Sequence, residues 1–400
     1  MSITPENMQQ EEGAQGLKVA IDSWVLSSRL RRQGTYVYAQ NLITQFKKLA
    51  KVEPEISFCV FASQRAANDA NGIEGDTRFE LAPTRLLARE GLWRLGGADL
   101  ASARAGSDLM FCPTASAIPL GSVPVISTIH DVTPLTMPSH GPRVNQLVRW
   151  LMWWVAKLSR AIITVSERSK SDLIEAYGLP ETQVHVVYNG CNHELFNDAA
   201  PDAELMRKLR RMIGLDRPYI LHHGTIQPRK NLERLIAAYR LMLLRNKNLD
   251  LDLVLAGDLG WEYDRIIAAA KRPGPGRVIL AGALADSELA RLIQGAELAV
   301  MPSLYEGFCL PMVECMACGT PTIAANSSCL PEVSGGRLLY FDPFSVDDIA
   351  NCMERGLEDT VLRRDLIHGG KQRAGDFDWA KCARQTLDVF RQYAQNGNHQ

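Results

Sequence analysis

The sequence predicts an α/β protein made of two doubly wound, Rossmann-like domains, and three observations carry that prediction. Short β-like apolar runs alternate with longer helical patterns, as in parallel sheets covered by helices. The alternation restarts after a polar stretch, 189–202. A chain of 400 residues is long enough for two such units, each with its own core.

In the first unit, apolar runs predict strands over 18–21, 56–61, 109–112, 123–129, 161–165 and 184–187. Helices over 35–50, 144–159 and 169–177 lie between them. The second unit opens with a helix over 204–213 and continues with strand 219–223, helix 232–246, strand 251–256 and a helix around 262–271. Strand 277–281, helix 287–294 and strand 298–301 follow, then a helix begun by Pro311 and a strand over 321–324. A last helix, 379–393, has no strand after it. The expected division is a disordered tail 1–16, a first domain 17–200, a second domain 201–376, and a final helix at about 377–395.

Composition narrows the function. Hydrophobic residues make up 46% and charged residues 22%, ordinary for a globular protein, and the net charge is -1. That charge gives no general attraction to nucleic acid, so an anion site must be local. The polar first 16 residues carry Glu6, Glu11 and Glu12 and no basic residue, so neither a signal nor a transit peptide is expected. With no apolar run near 18 residues, the expectation is a cytoplasmic protein, with contact at the inner membrane face left open. Nine cysteines without a secretory signal are expected to be buried free thiols. The C-x-x-C of Cys315 and Cys318 lies in an apolar helical pattern with Met312, Val313 and Met316, where cysteine acts as a small hydrophobe. Neither G-x-G-x-x-G nor a Walker A sequence occurs.

The segment Glu306-Gly307-Phe308-Cys309-Leu310-Pro311-Met312-Val313-Glu314 carries the most chemistry. Pro311 suits a first helical turn, so Glu306 falls in the loop before a helix and Glu314 on it. At about 1.5 Å per residue, two turns put roughly 12 Å between the carboxylates, with backbone N–H groups between them. That is the layout of a sugar nucleotide: hexose hydroxyls at one carboxylate, pyrophosphate at the helix N-terminus, ribose diol at the other. Two glutamates at this spacing more often mark a solvated face. The flanking residues, 300–305 and 315–323, change the balance. With them the segment resembles the glutamate-x7-glutamate signature of the retaining family 4 glycosyltransferases, which have the GT-B fold.

Other motifs extend the resemblance over about 17–393. Gly224-Thr225 and Pro228-Arg229-Lys230-Asn231-Leu232, between a strand and a helix, look like the family's second donor-phosphate motif. The likeness implies that Arg229 and Lys230 bind the diphosphate, where an adjacent basic pair would otherwise be ordinary surface. His222 and His223 are read as structural, with strand alternation sending them to opposite faces. His130-Asp131 follows an apolar strand and resembles the step at which a histidine faces the donor sugar across the interdomain cleft. Gly34 and Tyr36 stand where relatives carry a Gly-x-Gly-Arg-Tyr loop at the acceptor side; the usual arginine is absent. Cys309 replaces a common glycine and would project a thiol beside the sugar.

The resemblance thus implies catalytic roles for His130, Glu306, Arg229 and Lys230. Donor binding falls to Arg229, Lys230, Glu306, Gly307, Phe308, Cys309, Leu310 and Glu314, and the acceptor loop to Gly34 and Tyr36. The implied reaction moves a hexosyl group, first guess mannosyl from GDP-mannose, to a glycan or lipid-linked glycan. It needs no metal or other cofactor, since Arg229, Lys230 and a helix N-terminus face the diphosphate. In the GT-B fold the last helix crosses back onto the first domain. Asp250-Leu251-Asp252 resembles a metal-holding D-x-D of another glycosyltransferase fold but enters a strand as solvated residues often do. Trp150, Trp153 and Trp154, among Arg143, Arg149, Lys157 and Arg160, fit a lipid headgroup boundary or a core face equally well. Rival functions are a sugar-nucleotide epimerase of the same fold and a catalytically silent nucleotide-sugar-binding partner.

Overall fold

The computed structural model describes residues 16–27, 34–62, 79–83, 90–137, 142–200 and 202–395. Apart from Gly16, the expected tail lies outside the described residues, as do Arg31, Arg32 and Gln33.

The first sheet has seven strands: β1 Leu17–Asp22, β2 Ile56–Ala62, β3 Phe79–Pro83, β4 Leu109–Cys112, β5 Val125–Thr128, β6 Ala161–Thr164 and β7 Val184–Val186. Their order is β3-β2-β1-β4-β5-β6-β7, all parallel, with Val19 opposite Phe58 on one side and Leu109 on the other. Strands such as β4 are buried along their whole length, which explains their unbroken apolar character. The second sheet has six: β8 Tyr219–His223, β9 Asp252–Ala256, β10 Val278–Gly282, β11 Leu298–Met301, β12 Thr322–Ala325 and β13 Leu339–Phe341. Its order is β10-β9-β8-β11-β12-β13, again all parallel.

Each sheet reverses its winding once, between β1 and β4 in the first and between β8 and β11 in the second. Crevices at the carboxyl ends of such strand pairs are where open α/β sheets bind ligands. Two edge strands, β3 and β13, were not expected from the sequence. Nor were the helices Val346–Glu358 and Thr360–Ala374.

The last helix, Trp379–Gln395, returns to the first domain as the resemblance implies. Phe390 packs 5.0 Å from Phe111 and 5.8 Å from Phe46, and Arg391 pairs with Glu53 at 2.5 Å. The returning chain crosses the interdomain connection at Gly190. A Cβ there would sit 2.3 Å from Trp379 N, so only glycine fits. Among the described residues, no helix is long and apolar enough to cross a membrane.

Candidate active site

Strand β8 delivers the first basic pair. Past its carboxyl end, Pro228–Lys230 forms one tight turn, and Asn231, left-handed at φ 58, starts the helix Leu232–Arg245. Asn231 Nδ2 anchors the turn by donating to Pro343 O at 2.7 Å. Lys230 is thereby buried at the strand end, with Arg229 beside it.

The loop after β11 brings Glu306 to the same point. It is 5% exposed. Its Oε2 accepts from Arg229 Nη1 and its Oε1 from Lys230 Nζ, each at 2.6 Å. Burial alone would raise the Glu306 carboxyl, but the Arg229 and Lys230 charges outweigh it and hold the group at about 2. Two cations share this one carboxylate, and the Asp131 carboxylate also acts on Arg229. The sequence reading gave these side chains separate tasks; the structure makes them one ionic cluster. Ser328, which the sequence did not single out, fixes the Glu306 backbone: its Oγ donates to Glu306 O at 2.6 Å and accepts from Glu306 N at 3.2 Å.

The signature helix is Leu310–Ala317, with Pro311 in its first turn and no side-chain cap at its N-terminus. Cys309 precedes it at φ 71, a left-handed conformation that suits glycine. Its thiol does not stand out beside a ligand. It is 5% exposed within the apolar core, and burial together with Glu306 pushes it up to about 12. Phe308 and Leu310 are buried too, Phe308 edge-on to Phe377 at 5.1 Å. Cys309 and Leu310 can therefore reach a ligand only through backbone N–H groups. Gly307 is different, since a Cβ there would lie 2.6 Å from His130 O. The two domains touch at this glycine.

Glu314 stands on the second turn, its side chain 16% exposed and 3.6 Å from His223 Nε2. Burial, helped by Asp286, pushes its carboxyl up to about 8. His222 and His223 are both buried, His222 bonded to Val300 O and His223 to Pro311 O. His223 thus neighbours the second signature glutamate, a contact that strand alternation could not reveal.

His130 follows β5. Its Nε2 donates to Pro113 O at 3.1 Å and its ring stands edge-on to Tyr38 at 4.7 Å. Burial lowers its pKa, which favours a neutral ring. Tyr38, not Tyr36, is the aromatic that packs on His130, and Tyr38 Oη pairs with Thr128 Oγ1 at 3.0 Å. Tyr36 is half-buried near the start of the helix Gly34–Val52, and Gly34 is exposed at its first residue, where a Cβ would meet nothing within 4 Å among the described residues.

Two other motifs fall away from the cleft. Asp250 pairs with Arg217 and buried Asp252 with Arg277, at the amino end of β9, the opposite end of the sheet from Arg229. All nine cysteines are buried free thiols, Cys315 and Cys318 among them. The tryptophan helix, Pro142–Leu158, turns Met152, Val155 and Ala156 inward; Trp150 is 49% and Trp153 42% exposed. The core-face reading of those two tryptophans is therefore corrected. Trp154 is half-buried, with Trp153 edge-on to it at 5.0 Å.

Known glycosyltransferases are similar to this chain over both domains. The Glycosyltransferase Family 4 profile matches residues 34–195, and the profile for glycosyl transferases group 1 matches 207–373. O-antigen chain mannosyltransferase B of Escherichia coli is 31% identical over 271 residues, covering 66% of this chain and 70% of that protein. The serotype-specific mannosyltransferase WbdA of E. coli is 31% identical over 286 residues, 70% of this chain but 35% of that longer protein. The crystal structure of Anabaena HepE in complex with UDP-glucose superposes with a TM-score of 0.71 at 19% identity, covering 94% of this chain and 100% of that one. The chain belongs to the GT-B-fold glycosyltransferases related to mannosyl- and other hexosyltransferases.

Proposed function

We propose that the protein is a retaining hexosyltransferase that moves mannose from GDP-mannose to a glycan or lipid-linked glycan. The observation that carries this reading is the cluster of Arg229, Lys230 and Glu306 at the β8/β11 switch point, with His130 of the other domain beside Gly307. A diphosphate entering there shares Arg229 and Lys230 with Glu306. The carboxylate then has lone pairs to spare for hexose hydroxyls. The uncapped N-terminus of the signature helix supplies further N–H donors, and Glu314 accepts from the ribose diol. Mannose is favoured because the O-antigen and WbdA relatives are mannosyltransferases.

In this reading the bond between the anomeric carbon and the phosphate oxygen breaks as the acceptor oxygen bonds to that carbon from the same face. The acceptor proton passes to the departing phosphate. Arg229 and Lys230 offset the charge that grows on the diphosphate, a role that otherwise falls to a metal ion. Incubation with GDP-mannose, UDP-glucose and dTDP-glucose, with and without glycan acceptors, tests it. GDP release with an α-mannosidic product is expected. An altered nucleotide sugar would mean an epimerase, and binding without turnover a silent partner.

A further inference from the structure

Outside this cluster, a carboxylate of the second domain reaches into the first. Glu332 lies on the short helix Leu330–Val333 of the second domain. Its Oε1 accepts from Glu167 N at 2.7 Å and from Tyr188 Oη at 2.9 Å, and its Oε2 from Arg168 N at 2.9 Å. Glu167 and Arg168 are the first two residues of the first-domain helix Glu167–Tyr177; its third N–H, from Ser169, donates to Ser166 Oγ. Helix N-termini leave such donors without intrahelical partners, and their dipole favours an anion. Here the anion comes from the opposite domain.

The same helix also grips the Glu306 loop. Tyr305 Oη donates to Asp172 Oδ2 at 2.7 Å, and Ser169 Oγ to Gly307 O at 3.4 Å. Four residues before Glu332, Ser328 holds both backbone polar groups of Glu306 from a left-handed conformation, φ 52. One short segment therefore fixes Glu306 at one end and holds the first domain at the other.

We propose that Glu332 is a positioning residue for glycosyl transfer: seated on the N-terminus of the Glu167–Tyr177 helix, it holds the Glu306 loop against His130 in the arrangement that turnover needs. The proposal rests on the transferase reading above. Water can replace the exposed contacts of Glu332 with Glu167 N and Arg168 N, so the clasp can open for donor entry and product release. The groups assigned to the nucleoside diphosphate, Arg229, Lys230 and Glu314, all belong to the second domain. Opening the clasp leaves them together while withdrawing His130.

The test compares wild type with Glu332→Gln, in which one acceptor oxygen becomes an NH2 that cannot accept from a backbone N–H. Small-angle scattering, kcat, and calorimetric Kd for GDP and UDP are measured. The expected result is a larger radius of gyration, kcat lowered at least about tenfold, and a Kd within about twofold of wild type, with Glu332→Asp recovering part of the rate. Unchanged scattering and kcat, or a Kd that weakens in step with kcat, overturns the proposal. Tyr188→Phe removes the hydroxyl that donates to Glu332 Oε1 and no charge, and repeats the test should Glu332→Gln fail to fold. If wild type turns over no donor, the transferase reading fails. Scattering then decides the clasp alone: equal radii for wild type and Glu332→Gln sink it.

Discussion

Glu314 Oε2 lies 3.6 Å from His223 Nε2, yet the two do not form an ion pair. The ring donates from Nε2 to Pro311 O, and burial beside His222 holds it down at about 3, so it is neutral at ordinary pH. Without a cation beside it, Glu314 is pushed up to about 8. The carboxylate assigned to the ribose is therefore largely protonated when the site is empty at neutral pH.

A ribose diol donates best to an ionised carboxylate, so nucleoside-diphosphate binding should release a proton from Glu314 and tighten as pH rises toward 8. The Glu314→Gln variant should bind almost like wild type at pH 6 and about 1–3 kcal/mol more weakly at pH 9. Calorimetry in buffers of different ionisation enthalpy reads the proton directly. A pH-independent gap between the two proteins would count against the assignment.

Glu314 also makes a stability prediction. Its folded pKa stands above the unfolded value of 4.5, so its ionisation opposes folding increasingly from pH 4.5 to about 8. Glu314→Gln should raise Tm more at pH 8 than at pH 5. The 16% exposure of the side chain keeps the gain below what the full shift would give. Thermal melts at the two pH values check it.

Glu306 has the opposite sign. Its carboxyl, held at about 2, contributes stability that is present above pH 4.5 and lost as pH falls toward 2. Glu306→Gln should cost on the order of 3–5 kcal/mol at pH 7, because Arg229 and Lys230 lose their shared anion. The same loss leaves both cations to the diphosphate. The variant should therefore bind GDP at least as tightly as wild type while turnover falls roughly a hundredfold. Weakened GDP binding would contradict the division of labour between Glu306 and Glu314.

If Arg229 holds the diphosphate as proposed, Arg229→Ala should weaken nucleoside-diphosphate binding by about 1.5–3 kcal/mol. It also leaves Glu306 with Lys230 alone, so the acid transition should move toward higher pH. Near wild-type affinity and turnover would remove Arg229 from the site.

The exposed rings of Trp150 and Trp153 extend a surface with Val144, Leu147 and Leu158 on the Pro142–Leu158 helix. Exposed aromatic rings on a helix with Arg143 in its first turn and Arg160 just past its end suit an anionic lipid surface. Flotation with anionic liposomes at low salt should carry wild type upward, and Trp150→Ala with Trp153→Ala should abolish this without lowering Tm. Wild type remaining in the soluble fraction ends the idea.

Sequence by itself determined the alternation of strands and helices, the restart that makes two sheets, and the two motifs whose residues are contiguous. Apolar runs such as Tyr219–His223 and a proline at a helix start are local signals. The edge strand Phe79–Pro83 carries a glutamate and a proline, and Leu339–Phe341 has three residues, so neither shows a readable period. The helices Val346–Glu358 and Thr360–Ala374 did carry a signal, the caps Ser345 and Asp359, which the apolar pattern overshadowed. Only the tertiary structure decided that Glu306 takes both Arg229 and Lys230, that His223 stands by Glu314, and that Glu332 reaches the other domain. Arg229 and Glu306 are 77 residues apart on different strand ends, and no spacing along the chain contains that distance. Helical periodicity likewise placed three tryptophans on neighbouring positions of one helix. Which of them the core covers depends on what packs against that helix, and the packing exists only once the chain has folded.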